Sequence, residues 1–223
     1  MLEAIADGVW TRASPLRFWR IETGTRMTVL HLPGRRLLVH SPIPLTDELK
    51  VEVDSLGEVV AVVAPSLFHH LSVAQWKAAY PQAIACCCPG LERKRADLCW
   101  DRVLGDDAEP EWRGDVDQVF FSARKLENEV VFHHRASRTL VCADMVFNLA
   151  RHPSPLTRVV AFLLGNYRPG ATWLEHLMIR DRGTARAQID RMLAWNAERI
   201  VLAHGPIVER DGTEVLRRAY AWL

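Results

Sequence analysis

Four side chains of metal-ligand type stand just past stretches of strand-forming sequence. His69 and His70 follow Val59–Val63, Asp144 ends Thr139–Ala143, and His204 ends Arg199–Ala203. Imidazole and carboxylate suit Zn²⁺, or Fe or Mn, better than Ca²⁺ or Mg²⁺. In layered α/β proteins, functional groups gather where strands end and loops converge. Four such donors could close a tetrahedral shell, or three could hold an ion and leave a position for water. The expectation is one divalent metal ion, zinc before iron or manganese, held by His69, His70, Asp144 and His204.

Each residue also has a plainer reading. Adjacent side chains on a regular strand or helix point apart, so His69 and His70 reach one ion only if the loop bends between them. Asp144 lies among Val141, Met145 and Val146. A buried carboxylate needs a partner, which a cation, a helix end or an arginine could supply. His204-Gly205 could be a simple exit from a strand. His133 and His134 form a second pair, in mid-strand, and His40 leaves a strand near where the site should lie. No glycine-rich phosphate loop and no G-x-S-x-G nucleophile elbow occur.

The elements that must position these groups are legible as alternating strands and helices. Met27–Leu32, a Pro33-Gly34-Arg35 turn and Arg36–His40 read as an antiparallel hairpin, with Gly8–Arg12 as a further strand. Thr46 caps a helix whose first turn carries Asp47 and Glu48 and whose apolar face is Leu49, Val53 and Leu56. Val59–Val63 is nearly all apolar, as a strand covered on both faces would be. Ser72-x-x-Gln75 reads as a capping box opening a helix that Pro81 ends. Strand Ala83–Cys88 follows, then a short basic helix over Leu91–Leu98 and a polar loop, Asp101–Asp115. Gln118–Ser122, Glu129–His134 and Thr139–Ala143 form a meander. Helices are expected over Leu156–Leu164, Thr172–Ile179, from Thr184, and over Glu214–Leu223, with a last strand at Arg199–Ala203. The pattern predicts a layered α/β sandwich, and 223 residues are enough for one large domain or two small ones.

Composition narrows the function classes. The formal net charge of +1 and the lack of a basic stripe with interleaved aromatics give no footing for nucleic acid. No apolar run approaches the ~20 residues that span a bilayer. The N-terminus has acids where a signal peptide has bases, so a cytoplasmic protein is expected. The partner expected is a small-molecule substrate or ligand of open identity. Five cysteines, three of them consecutive at Cys86–Cys88, are an odd count without C-x-x-C spacing. They read as small buried hydrophobes. The segment Asn148–Arg182 carries Arg151, Arg158, Arg168, Arg180 and Arg182, a hint of an anionic ligand that surface helices also produce by themselves.

With His-Ser-Pro-Ile-Pro-Leu at 40–45 and Pro-x-x-x-His-His-Leu at 65–71, the chain resembles the metallo-β-lactamase fold superfamily. It is most similar to a branch of it described as a domain of unknown function. The resemblance covers almost the whole chain and implies a single domain over residues 1–223, a four-layered αββα sandwich with a metal site at the strand ends. The superfamily's T-H-x-H-x-D-H motif, laid on Ala64–His70, keeps its last histidine as His70 and has His69 in place of the aspartate. Its first two histidines fall on Pro65 and Leu67, which cannot bind metal. The bridging aspartate matches Asp144 and the final histidine His204, while Lys125–Glu129 offers no counterpart of the mid-chain histidine. The resemblance therefore implies that one of two metal sites is kept, with a histidine-for-aspartate exchange. Two functions follow: a mononuclear metal-dependent hydrolase, in which His40 or His134 would orient substrate, or a binding or structural module with a vestigial site.

Overall fold

The computed structural model describes residues 1–18, 20–125 and 128–223. Along the chain, β1 (Glu3–Ala6), β2 (Val9–Ser14), a small hairpin of β3 (Arg17–Phe18) and β4 (Ile21–Glu22), β5 (Thr25–Leu32) and β6 (Arg36–His40) come first. Then α1 (Asp47–Leu56), β7 (Glu58–Ala64), α2 (Val73–Ala79), β8 (Ile84–Cys87), α3 (Leu91–Lys94) and β9 (Arg102–Val103) follow. The second half holds β10 (Val116–Phe121), β11 (Glu129–His134), β12 (Thr139–Val141), α4 (Pro155–Leu163), α5 (Leu174–Met178), α6 (Arg182–Leu193), β13 (Arg199–Val201) and α7 (Gly212–Ala219).

Seven strands make one sheet, in the order β1-β2-β5-β6-β7-β8-β9, and four make another, β10-β11-β12-β13. β6 through β9 run parallel, and α1 and α2 return the chain between them. That is why β7, with sequence EVVAVVA, is almost wholly apolar: it is covered on both faces. Leu49, Val53 and Trp76 from α1 and α2 pack on the outside of this sheet, and Val130, Phe132, Val141 and Val201 of the second sheet close its inside. The outer face of the second sheet is covered by α6 and α7 through Ala185, Ile189, Met192, Val215 and Leu216. The result is the four-layered αββα sandwich. Among the described residues no helix is long and apolar enough to cross a membrane.

Local expectations fare differently. Thr46 does cap α1, its hydroxyl accepting from Leu49 N at 3.2 Å. Ser72 makes no capping bond to α2. Gln75, the other half of the expected box, instead pairs twice with the main chain of Leu45, at 2.9 and 2.7 Å. This fastens the loop after β6 to α2, a long-range use of an amide that local spacing cannot disclose. Cys86, Cys87, Cys88 and Cys142 are buried in the core, as small apolar side chains are. β1, at the margin of the seven-stranded sheet, and β3 and β4, which pair only with each other, have no clear strand signature because they are short.

His40, at the end of β6, lies between the two sheets with its ring edge-on to Phe132, 5.5 Å between centroids. It is 1% exposed, and neither ring nitrogen has a partner among the described residues. Burial, reinforced by nearby His69, pushes its pKa down to about 3. His40 is thus a neutral core residue. An unfolded chain takes up a proton near the ordinary pKa of 6.5 that the folded protein refuses. The stability tied to His40 is complete above that pH and is lost as pH falls toward 3. Between pH 7 and pH 5 the wild-type protein should lose about 2 kcal/mol more stability than His40→Leu. Urea unfolding at the two pH values checks this, and parallel losses would contradict it.

Candidate metal centre

β12 and β13 run parallel with Val141 opposite Val201. Asp144 and His204 each stand three residues beyond that pair, so they leave the sheet side by side. The turn after β13 is fixed by Gly205, at φ +106°, where a Cβ would sit 2.0 Å from the Asn148 carbonyl oxygen. Arg26 of β5 donates to the Leu202 and Gly205 carbonyls at 2.8 and 2.9 Å, tying the turn to the other sheet. His69 arrives from the loop after β7. That loop is pinned to the second sheet by Val130 N donating to the Pro65 carbonyl at 2.8 Å.

Three donor atoms meet there. Asp144 Oδ1 is 3.1 Å from His204 Nε2 and 3.4 Å from His69 Nε2, and the two Nε2 atoms are 3.3 Å apart. All three residues are at most 7% exposed. Each is held from behind. His204 Nδ1 faces the Gly24 carbonyl at 2.8 Å, and a carbonyl only accepts, so Nδ1 carries a hydrogen and the neutral ring keeps its lone pair at Nε2. Ser41 Oγ meets His69 Nδ1 at 2.7 Å, and Ser66 Oγ donates to Asp144 Oδ2 at 3.0 Å. Phe147 stacks on the His204 ring. Burial alone would raise the Asp144 pKa, but His69 and His204 more than reverse this and hold it well below the carboxylate range. Burial likewise works against the His204 cation, and the bond to Asp144 outweighs it, raising that pKa. The centre attracts positive charge.

His70 lies outside this triangle. Its Nδ1 accepts from Arg95 Nη1 at 2.9 Å; a guanidinium can only donate, so the hydrogen of the neutral ring sits on Nε2. Both nitrogens are then committed, one as acceptor from Arg95 and one as N–H, and neither offers a lone pair to an ion. Burial, with the charges of Arg95 and Lys94, lowers the His70 pKa to about 4. The loop does not bend enough to aim both rings at one point. The two residues suggested for orienting substrate are elsewhere: His40 is in the core, and His134 is bonded to Ser137 Oγ and the His31 carbonyl, lining a hollow near Gly8 and Asp115. The stretch Lys125–Glu129 includes Leu126 and Glu127, which lie outside the described residues.

Beneath the centre is a network not legible in the sequence. Glu129, fully buried at the start of β11, accepts from the backbone N–H of Ala143 and of Asp144, the latter at 3.0 Å. Arg124 donates to Glu175 at 2.8 Å and to the Asp144 carbonyl at 3.2 Å, and stands 3.6 Å from Glu129. Tyr220 of the last turn donates to Glu175 at 2.9 Å. Burial raises the Glu129 pKa; Arg124 opposes this and Asp144 adds to it. A lone acid at the head of an apolar strand was the only signal. A cavity of about 290 Å³ opens onto the triangle, walled in part by Pro42, Ile43, Phe68 and Phe147.

The sequence profile of the family described as Domain of unknown function (DUF4336) matches residues 6–172. The chain belongs to this family. No curated protein matches this DUF4336 member. Its fold is that of the metallo-β-lactamases. The crystal structure of DIM-1 metallo-β-lactamase exposed to ceftazidime superposes with a TM-score of 0.69 at 12% identity, covering 100% of this chain and 96% of that one. The mono-zinc form of FIM-1 from Pseudomonas aeruginosa gives 0.65 at 12% identity, covering 100% and 95%. The metal-soaked Flv1 flavodiiron core from Synechocystis sp. PCC6803 gives 0.66 at 14% identity, covering 100% and 60%.

Because Arg124 is the cation between two buried acids under Asp144, Arg124→Met should destabilise this DUF4336 member by about 3–5 kcal/mol. Urea denaturation measures it; a loss below about 1 kcal/mol would show that the network does not hold the Asp144 turn.

Proposed function

We propose that the protein binds one divalent metal ion, zinc before iron or manganese, through His69 Nε2, Asp144 Oδ1 and His204 Nε2, and is a mononuclear metal-dependent hydrolase of a small molecule. The observation that carries this is the triangle of 3.1, 3.3 and 3.4 Å between the three donors. A tetrahedral ion with ligands at about 2.0–2.1 Å has ligand-to-ligand edges of roughly 3.3–3.4 Å. Two neutral imidazoles with one carboxylate suit a borderline-soft ion. Three protein donors with a cavity in front leave the fourth position open, as catalytic rather than structural sites do.

A bound ion there would supply Lewis-acid stabilisation of developing negative charge and lower the pKa of a water. The chain's own residues do the rest. Ser41, Gly24 and Ser66 fix the rings and the carboxylate from behind, so that the donors keep their aim without substrate present. The apolar wall excludes bulk water and strengthens every charge interaction inside. Asp144 supplies the only anionic charge of the triangle, so it balances part of any cation held there.

The second reading, a catalytically inactive binding or structural module with a vestigial site, draws on Pro65 and Leu67. On the resemblance they stand where the superfamily's first two histidines would be, which implies that the second metal site of a binuclear centre is lost. Elemental analysis of protein purified without a histidine tag separates the two. Close to one metal per chain is expected, lost in Asp144→Asn and His204→Ala and retained in His70→Ala. Protein that remains metal-free after incubation with Zn²⁺, Fe²⁺ and Mn²⁺ would sink the proposal.

A further inference from the structure

Helix α4 turns its small side chains inward and its large apolar ones outward. Thr157 and Ala161, one turn apart, are buried, and the Thr157 hydroxyl donates to the Glu22 carbonyl of β4 at 2.8 Å. At 3.6 residues per turn, Leu156, Val159, Phe162 and Leu163 form a stripe on the opposite side. Each of them is between 53% and 67% exposed. Beyond the helix, Tyr167 sets its ring edge-on to Phe162, 5.2 Å between centroids, and Trp173 donates its indole N–H to the Leu163 carbonyl at 2.8 Å. Both rings are exposed, so they lengthen the stripe. A surface helix ordinarily lays its apolar stripe on the core, and here the stripe faces water. Single exposed leucines are common, but a contiguous apolar patch marks a surface that something covers. Most of the large apolar side chains exposed among the described residues lie between 156 and 177.

The charge around this patch has one sign. Residues 145–174 contain no aspartate or glutamate, while Arg151, Arg158 and Arg168 are all exposed. Arg158 Nη1 donates to the main-chain carbonyls of His152 and Pro153 at 3.2 and 3.3 Å. None of these three arginines meets a carboxylate among the described residues. At the N-terminal end of the stripe, Arg17 and Arg20 border the same hollow as Leu156, and the acid there, Glu22, is paired with Arg17 at 2.7 Å. The next acid along the chain, Glu175, is buried and bonded to Arg124 and Tyr220.

The two features together select the occupant. A second copy meeting this face about a two-fold axis would set arginine against arginine with no acid between them. A bilayer with anionic headgroups satisfies both: phosphate and carboxylate groups meet the guanidinium groups, and the boundary between headgroups and acyl chains takes the stripe. Tyrosine and tryptophan, the ring types at 167 and 173, are enriched at that boundary. A helix lying in the interface needs no membrane-spanning length.

We propose that α4, with Tyr167 and Trp173, is a docking surface for an anionic lipid bilayer, with Phe162 and Leu163 entering the acyl boundary and Arg151 and Arg158 engaging headgroups. This goes beyond the reading of the metal centre and does not depend on it, since no residue of the stripe lines the cavity in front of His69, Asp144 and His204.

The test sediments the full chain with vesicles of phosphatidylcholine alone and of phosphatidylcholine with about one-third phosphatidylserine. Binding to the anionic vesicles should be at least about tenfold tighter, and should weaken as salt is raised. Phe162→Ser combined with Leu163→Ser should weaken it by at least about tenfold. Arg151→Gln combined with Arg158→Gln should weaken it by about tenfold or more. All four side chains are exposed, so urea unfolding of both variants should match that of the wild-type protein. Failure to sediment with the anionic vesicles, or undiminished binding in the serine variant, would overturn the proposal. Sedimentation velocity without lipid reads the rival occupant: a dimer that the serine variant dissociates would give this face to a second copy, and would overturn the proposal as well.

Discussion

Asp144 is a carboxylate placed almost out of reach of water where two sheets meet, and most of the functional end of the molecule is arranged around that fact. Its oxygens face Ser66, His69 and His204, and its backbone is gripped by Glu129 and Arg124. A buried anion without compensation would unfold or neutralise. Here two imidazoles supply the compensation, and the same geometry leaves room for a cation between them. The register of β12 against β13 makes this economical: two parallel strands, paired in step, deliver the carboxylate and one imidazole to the same place.

How far the sequence discloses this depends on the range of the interaction. His69, Asp144 and His204 could be singled out because each follows a strand, and strand ends converge in this architecture. The sandwich could be read from apolar runs such as β7 and from the hairpin of β5 and β6. Whether His70 also joins the centre depends on Arg95, twenty-five residues away, and on which nitrogen that guanidinium engages. No local pattern carries that information. Gln75 shows the same limit, since its spacing from Ser72 fits a cap while its amide is bound to Leu45. His40 lies in a recognisable loop motif, but its burial against Phe132 is a matter of two sheets packing. Glu129 and Arg124 are separated by four residues, two of them outside the described set, and their partners lie far along the chain, at Asp144, Glu175 and Tyr220.

The departures from the superfamily's pattern are physically connected. On the resemblance of Ala64–His70 to the superfamily's histidine motif, Pro65 and Leu67 fall where metal-ligating histidines would stand, which implies that one half of a binuclear site lacks its donors. Histidine at 69 replaces an anionic donor with a neutral one, which leaves Asp144 as the single negative charge of the triangle. His70 lies outside the triangle, its Nδ1 accepting from Arg95.

In the proposed centre three donors from separate loops enclose one ion. Crystals of the untagged protein grown with zinc, measured on both sides of the zinc absorption edge, test it most directly. A single anomalous peak is expected within bonding distance of His69 Nε2, Asp144 Oδ1 and His204 Nε2, with His70 still bound to Arg95. A centre without anomalous density, in which Asp144 and His204 remain bonded directly to one another, would contradict it.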